Sequence, residues 1–165
     1  MNRSCPGART LNFLTEHEIE SYPDLESRVA EITAASTEAA AALKAAERRL
    51  AEMAVLIKDV TTCKELRPLV QEYQRAAGKK QFWRKHEGTL ILYEAAAKAL
   101  KEQGFQKLPD LYTLKAEYKQ LVEQKDQLQR QYNDAKRQMQ EYGIIKQNVD
   151  GILRIAPGKE QMQER

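Results

Sequence analysis

The chain has 165 residues, with 27 Lys and Arg against 24 Asp and Glu and a formal net charge of +3. Hydrophobic residues make up 42% of it, but Phe occurs three times and Trp once, so it can bury a seam more readily than a thick enzyme core. No run approaches the roughly 20 apolar residues that span a bilayer, and the opening MNRSCPGART lacks the apolar stretch of a signal peptide. No membrane insertion and a cytoplasmic location are therefore expected. Cys5 and Cys63 stand far apart, with no CxxC and no nearby His. They read as free thiols in a reducing compartment rather than as part of a zinc set.

In chain order, residues 1–9, with Pro6 and Gly7, read as irregular. Residues 10–20 fit three short turns of helix with Leu11, Leu14 and Ile19 on the apolar side. SYPD stops that helix, because Pro23 disfavours the α conformation at Tyr22, and the same proline can open the next helix. The first helix carries Thr15-Glu16-His17-Glu18, residue types that a hydrolase or metal site would use. On a helix, however, Glu16, His17 and Glu18 point in three directions. His86 is the only other histidine, and there is no HExxH and no third ligand. The tetrad reads as solvated helix surface, and no catalytic residue, metal or cofactor is expected in this chain.

From Leu25 a heptad seam begins: Leu25, Val29, Ile32, Ser36, Ala39, Leu43, Ala46, Leu50, Met53, Ile57 and Val60 alternate four and three apart. Pro68 predicts a kink or break near residues 62–68. Short helices are expected over about 65–76, 79–86 and 88–103. Gly78 and Gly104 mark ends, and FQKLPD makes the turn that follows. A second seam runs through Leu114, Tyr118, Leu121, Lys125, Leu128, Tyr132, Ala135, Met139, Tyr142, Lys146, Val149 and Leu153. Lys125 and Lys146 interrupt it, Gly143 and Gly151 are expected to fray its last turns, and the polar end KEQMQER reads as disordered.

Two seams of similar length, each on the order of 50 Å at ~1.5 Å per residue, are most simply buried by antiparallel pairing. The expected fold is all-α: an elongated antiparallel coiled-coil helical hairpin with a small helical head at its tip. Its parts are an irregular start and short helix over 1–22, a first arm over 23–63, a basic head over 64–112, a second arm over 113–154 and a tail over 155–165. Pairing of each seam with a second copy, giving a homodimer, stays open, because heptads alone do not distinguish the two.

The segment RAAGKKQFWRKH, residues 75–86, holds Arg75, Lys79, Lys80, Arg84 and Lys85 with no carboxylate, and Phe82, Trp83 and His86 lie between them. Residues 64–107 contain ten Lys and Arg against five Asp and Glu, a net of +5, while the rest of the chain carries −2. Cations contact phosphates and aromatic faces stack on unpaired bases. Arg75, Lys79, Lys80, Trp83, Arg84 and Lys85 are thus the candidate nucleic-acid-binding residues. The alternative is that Phe82 and Trp83 anchor the head while the cations solvate it; both hold if Phe82 packs and the cations face outward. Tyr118, Tyr132 and Tyr142 lie on the seam, and Tyr22, Tyr73, Tyr93 and Tyr112 lack an activating partner in sequence.

The blocks TLNFLTEHEIESYPDLESR, LKAAERRLAEMAVLIKDV, LVQEYQRAAGKKQFWRKHEGTLILYEAAAKAL, GFQKLPDLYTLKAEYKQLVEQK and YNDAKRQMQEYGIIKQNVDGIL, in this order, carry a resemblance over residues 10–153. The chain resembles the helical C-terminal region of relaxases, the mobilisation nucleases carried by conjugative and mobilisable elements of Firmicutes. In that family nicking belongs to an N-terminal domain with a tyrosine nucleophile and a histidine-bound metal, and nothing here matches that domain. The first nine residues fall outside the resemblance, which implies a truncated or separately started reading frame, or an excised fragment. The resemblance implies a non-catalytic role beside DNA transfer, contacting DNA, the relaxosome or coupling proteins. A structural coiled-coil adaptor that binds only protein partners is the rival expectation.

Overall fold

The computed structural model describes residues 6–155. Residues 1–5, with Cys5, and all of the expected tail after residue 155 lie outside the described residues. Those described form four helices and no strand: α1 (Pro6–Glu16), α2 (Tyr22–Arg75), α3 (Lys79–Glu102) and α4 (Leu111–Ile155).

The first helix lies earlier than its apolar spacing predicts, over Pro6–Glu16 instead of 10–20. Proline is favourable at a first helical position, where its missing N–H would have no partner in any case. The helix then closes in a Schellman motif. Ile19 N–H donates to the Leu14 carbonyl and Glu18 N–H to that of Thr15, with Glu18 in the left-handed region at φ 55°. Leu14 and Ile19 meet in the same apolar cluster, the contact that accompanies this cap.

Ser21 opens α2: its Oγ accepts from Asp24 N–H at 3.3 Å, and Asp24 puts a negative charge on the first turn. The break expected near residues 62–68 is absent, and α2 continues through Pro68 to Arg75. Pro68 cannot bond the Lys64 carbonyl, but both residues are on the exposed face, where water can. Half-buried Leu66, Leu69 and Val70 keep the helix's apolar stripe intact across the proline. Asp110 caps α4, its Oδ2 accepting from Thr113 N–H and Thr113 Oγ1 at 3.2 and 2.8 Å. The fraying expected at Gly143 and Gly151 does not occur before Ile155, because Tyr142, Ile145 and Val149 anchor that end in the core.

The chain divides into two compact units, residues 1–43 with 127–165, and Lys44–Asp126. In the first, α1 and the facing parts of α2 and α4 bury Ile19, Leu25, Tyr142 and Ile145, with Phe13, Tyr22, Val29 and Ile32 packed around them. In the second, α2, α3 and the start of α4 bury Met53, Val60, Cys63, Ala96, Leu100 and Leu114. The fold of the described residues is all-α, and within each unit long helices pack against each other. Every position of the first seam is buried or half-buried within this one chain, and in the second seam only Met139 and Leu153 are exposed. Unit 2 takes in the expected head together with residues 44–63 and 113–126.

Lys146, which interrupts the second seam, is accommodated locally: its Nζ lies 3.2 Å from Asp150 Oδ2 one turn on. Asp150 Oδ1 accepts from the Tyr22 hydroxyl, and Asn148 Nδ2 donates to Oγ1 of buried Thr10 at 3.1 Å. Within unit 1 these bonds tie the first two helices to the end of α4.

Candidate nucleic-acid interface

The His17 tetrad lies at the end of α1, where Glu16 and His17 line a cavity with Arg9 and Glu141. Glu16 is the last residue of α1, while His17 and Glu18 form its cap. His17 Nδ1 lies 2.8 Å from the Phe13 carbonyl oxygen, to which its Nδ1–H tautomer donates. Its ring stacks on Phe13 at 3.9 Å and meets the edge of Tyr142 at 5.7 Å. The histidine therefore closes the helix end and packs. Among the described residues there is no group of three His, Cys, Asp or Glu that could hold a metal ion. No helix among them is long and apolar enough to cross a membrane.

The basic segment lies in unit 2, at the turn between α2 and α3. Arg75 ends α2, Ala76 N–H bonds the Tyr73 carbonyl, and Gly78 caps α3, its carbonyl accepting from Phe82 N–H at 3.0 Å. This tight reversal brings Tyr73, from the last turn of α2, against two aromatics of α3. Its ring is 5.9 Å from Phe82 and 5.7 Å from Trp83, while Phe82 lies 4.6 Å from His86. These separations are those of favourable aromatic pairs. His86 leaves the helical region (φ −124°, ψ 20°), so Lys79–Lys85 form a short basic helix joined at a kink to the longer remainder of α3.

Tyr73, Lys79, Lys80, Trp83 and Arg84 line one open notch of about 240 Å³. The spacing i, i+1, i+4, i+5 puts the four α3 residues on one stripe of the helix. Trp83 is half-buried against Tyr73, while Lys79, Lys80 and Arg84 are exposed. Lys85 and Arg75 are exposed as well but do not line the notch: Lys85 is turned about 100° past Arg84 around the helix, and Arg75 belongs to α2. Among the described residues, none of these five cations makes an ion pair. The first turn of α3 carries no acid, and no side chain caps it, so the positive end of its dipole adds to the charge of Lys79 and Lys80.

Comparison with family models, with curated proteins and with solved structures finds no match to this chain. Three exposed cations beside the exposed part of an indole can meet phosphate oxygens and offer a surface to an unpaired base. Trp83 has a second role, since it also holds α3 against Tyr73. Tyr73 is the residue of this site that sequence reasoning missed. The available signal was the short Ala76-Ala77-Gly78 turn, which obliges the helix turns on either side of it to touch.

Proposed function

We propose that the chain is a non-catalytic helical module that contacts nucleic acid through the α3 notch, in the manner of a relaxase-like mobilisation protein. Lys79, Lys80 and Arg84 bind phosphates, Trp83 supplies a stacking surface, and Arg75 and Lys85 extend the positive field on either side. The observation that carries this reading is the clustering of three exposed cations, free of ion pairs among the described residues, around one aromatic held in place by Tyr73. A protein acting in DNA transfer would use such a surface to stay on the strand, while relaxosome or coupling partners engage other faces.

The experiment is binding of labelled single- and double-stranded DNA by the purified chain across a salt series. A variant with Lys79, Lys80 and Arg84 changed to Ala is run beside it. Salt-sensitive binding that the variant loses supports the reading. Absence of binding by the native chain at low salt overturns it.

A second reading, a structural adaptor for protein partners or for a second copy of the chain, is favoured by one observation. Val55, Ile91 and Leu92 in unit 2 are large apolar side chains left 54%, 49% and 62% exposed. Loss of a partner or of self-association on changing these three to Ser, with DNA binding absent, would support it.

A further inference from the structure

Unit 2 contains a second concavity, larger than the notch. Between α2, α3 and the segment leading into α4 lies an open groove of about 1080 Å³. Its construction follows from one glycine. Gly104 adopts φ 90°, which lets Phe105 N–H bond the Leu100 carbonyl and Gly104 N–H bond that of Lys101, a Schellman cap on α3. The cap folds Phe105 back beside Leu100, and the chain then runs to Leu108 along the groove's edge. The floor is mainly aliphatic, with buried Cys63 and Leu100 and half-buried Ala97 and Leu108, and Tyr93 adds a half-buried ring. Phe105 forms a wall and is 36% exposed.

The charges on the groove have one sign. Among the described residues, Lys64, Arg67, Lys101 and Lys107 line it, and no carboxylate does. All four are exposed and, among the described residues, free of ion pairs. Of the carboxylates nearby, Asp110 is fixed as the cap of α4, where Lys64 also helps to hold its carboxyl below the usual range, and Asp59 lies one turn before Cys63 with its Oδ2 buried.

We infer that this groove binds an acidic amphipathic peptide segment of a partner protein, with apolar side chains on the aliphatic floor and Asp or Glu against the four cations. Charge complementarity selects an acidic occupant. The floor suits a peptide, because Leu100, Leu108, Ala97 and Cys63 offer apolar depth for Leu-type anchors, and the two rings that also line the groove, exposed Phe105 and half-buried Tyr93, can pack against such anchors. The size suits it too: at about 1080 Å³ the open groove is slightly larger than small-ligand pockets, usually about 300–1,000 Å³. This site is independent of the notch and does not rest on the DNA reading.

The probe is a fluorescein-labelled amphipathic helix of Leu, Ala and Glu, titrated with the full chain and read by anisotropy. Two control peptides carry Glu→Gln throughout or Leu→Ala throughout. The protein variants are Lys101→Glu with Lys107→Glu, Phe105→Ala, and, in the notch, Lys80→Ala with Arg84→Ala, each checked for an unchanged helical spectrum. The expected result is binding weakened about tenfold or more, roughly 1.4 kcal/mol, by either control peptide, by the paired charge reversal and by Phe105→Ala. The notch variant should bind as the native chain does. The inference is overturned if the acidic peptide fails to bind at low salt, or if either control peptide binds equally well. It is overturned as well if the groove variants bind the peptide normally, or lose single-stranded DNA and not peptide, which would make the groove part of a nucleic-acid path.

Discussion

Tyr22 and Asp150 are 128 residues apart in sequence, yet the phenol of the first donates a 2.5 Å hydrogen bond to the carboxylate of the second. The bond joins the first turn of α2 to the last turns of α4 within unit 1, and Lys146 completes it from the other carboxylate oxygen. Tyr22 thus does more than shape the turn before Pro23. It holds the start of α2 against the end of α4.

The pH dependence of this triad follows from its shifts. The Tyr22 hydrogen bond, with help from Lys146, holds the Asp150 carboxyl below the usual range against the opposing effect of burial. The same bond to Asp150 raises the Tyr22 phenol, and Asp150 raises the Lys146 ammonium. The Asp150 contribution is therefore present above about pH 4 and lost as pH falls through its lowered folded value. The Tyr22 and Lys146 contributions are fully present below about pH 10 and lost as pH rises through their raised values. Urea unfolding should show Tyr22→Phe and Asp150→Asn less stable than the native chain at neutral pH. Both gaps should narrow in strong acid, and added salt should narrow them too, since the Lys146–Asp150 pair is partly exposed. Gaps that stay constant as pH falls from neutral until the carboxyls are protonated would mean that the triad contributes no charge-dependent stability.

Two helices end in the same Schellman motif with different residues at the left-handed position, Glu18 after α1 and Gly104 after α3. An L residue there carries a steric cost of about 1–2 kcal/mol that glycine avoids. Gly104→Ala should therefore destabilise by about that amount, with no added clash, since nothing lies within 4 Å of the new Cβ. Glu18→Gly should change stability the other way. Thermal melts of the two variants should move in opposite directions, and shifts of equal sign would refute the assignment of these caps.

Pro68 sits inside α2 on the exposed side. Replacing it with Ala restores one backbone hydrogen bond to the Lys64 carbonyl and a better helix former. Stabilisation by about 1–3 kcal/mol is expected from the difference in helix propensity. Denaturant midpoints measure it. A loss of stability would show that the proline bends α2 into a shape that the packing of unit 2 requires.

The heptads from Leu25 to Val60 were legible because a seam is a local, periodic signal. Each of their positions is withdrawn from solvent, and the kink at His86 falls where the sequence placed a helix boundary. Pro68 misled because its propensity is local, whereas half-buried Leu66, Leu69 and Val70 act through tertiary packing. The start of α1 at Pro6 was hidden by a proline that reads as irregular but suits a first turn. Of the candidate interface, the cations and Trp83 were legible as a run without carboxylates. Their division was not: Lys79, Lys80 and Arg84 share the notch, while Lys85 turns away from it. The groove beside Phe105 could not be foreseen, because Lys64 and Arg67 meet Lys101 and Lys107 only once α2 and α3 fold together.

The central claim is that the α3 notch binds phosphate, and the salt dependence of single-stranded DNA affinity tests it most directly. The logarithm of the binding constant should fall linearly with the logarithm of salt concentration, by about 0.7 per phosphate contacted. With Lys79, Lys80 and Arg84 changed to Ala, the slope should flatten by about 2, as three lost contacts require, whereas Lys85→Ala alone should change it less than Arg84→Ala alone. A native chain that does not bind at low salt, or a triple variant whose slope equals the native one, would contradict the account.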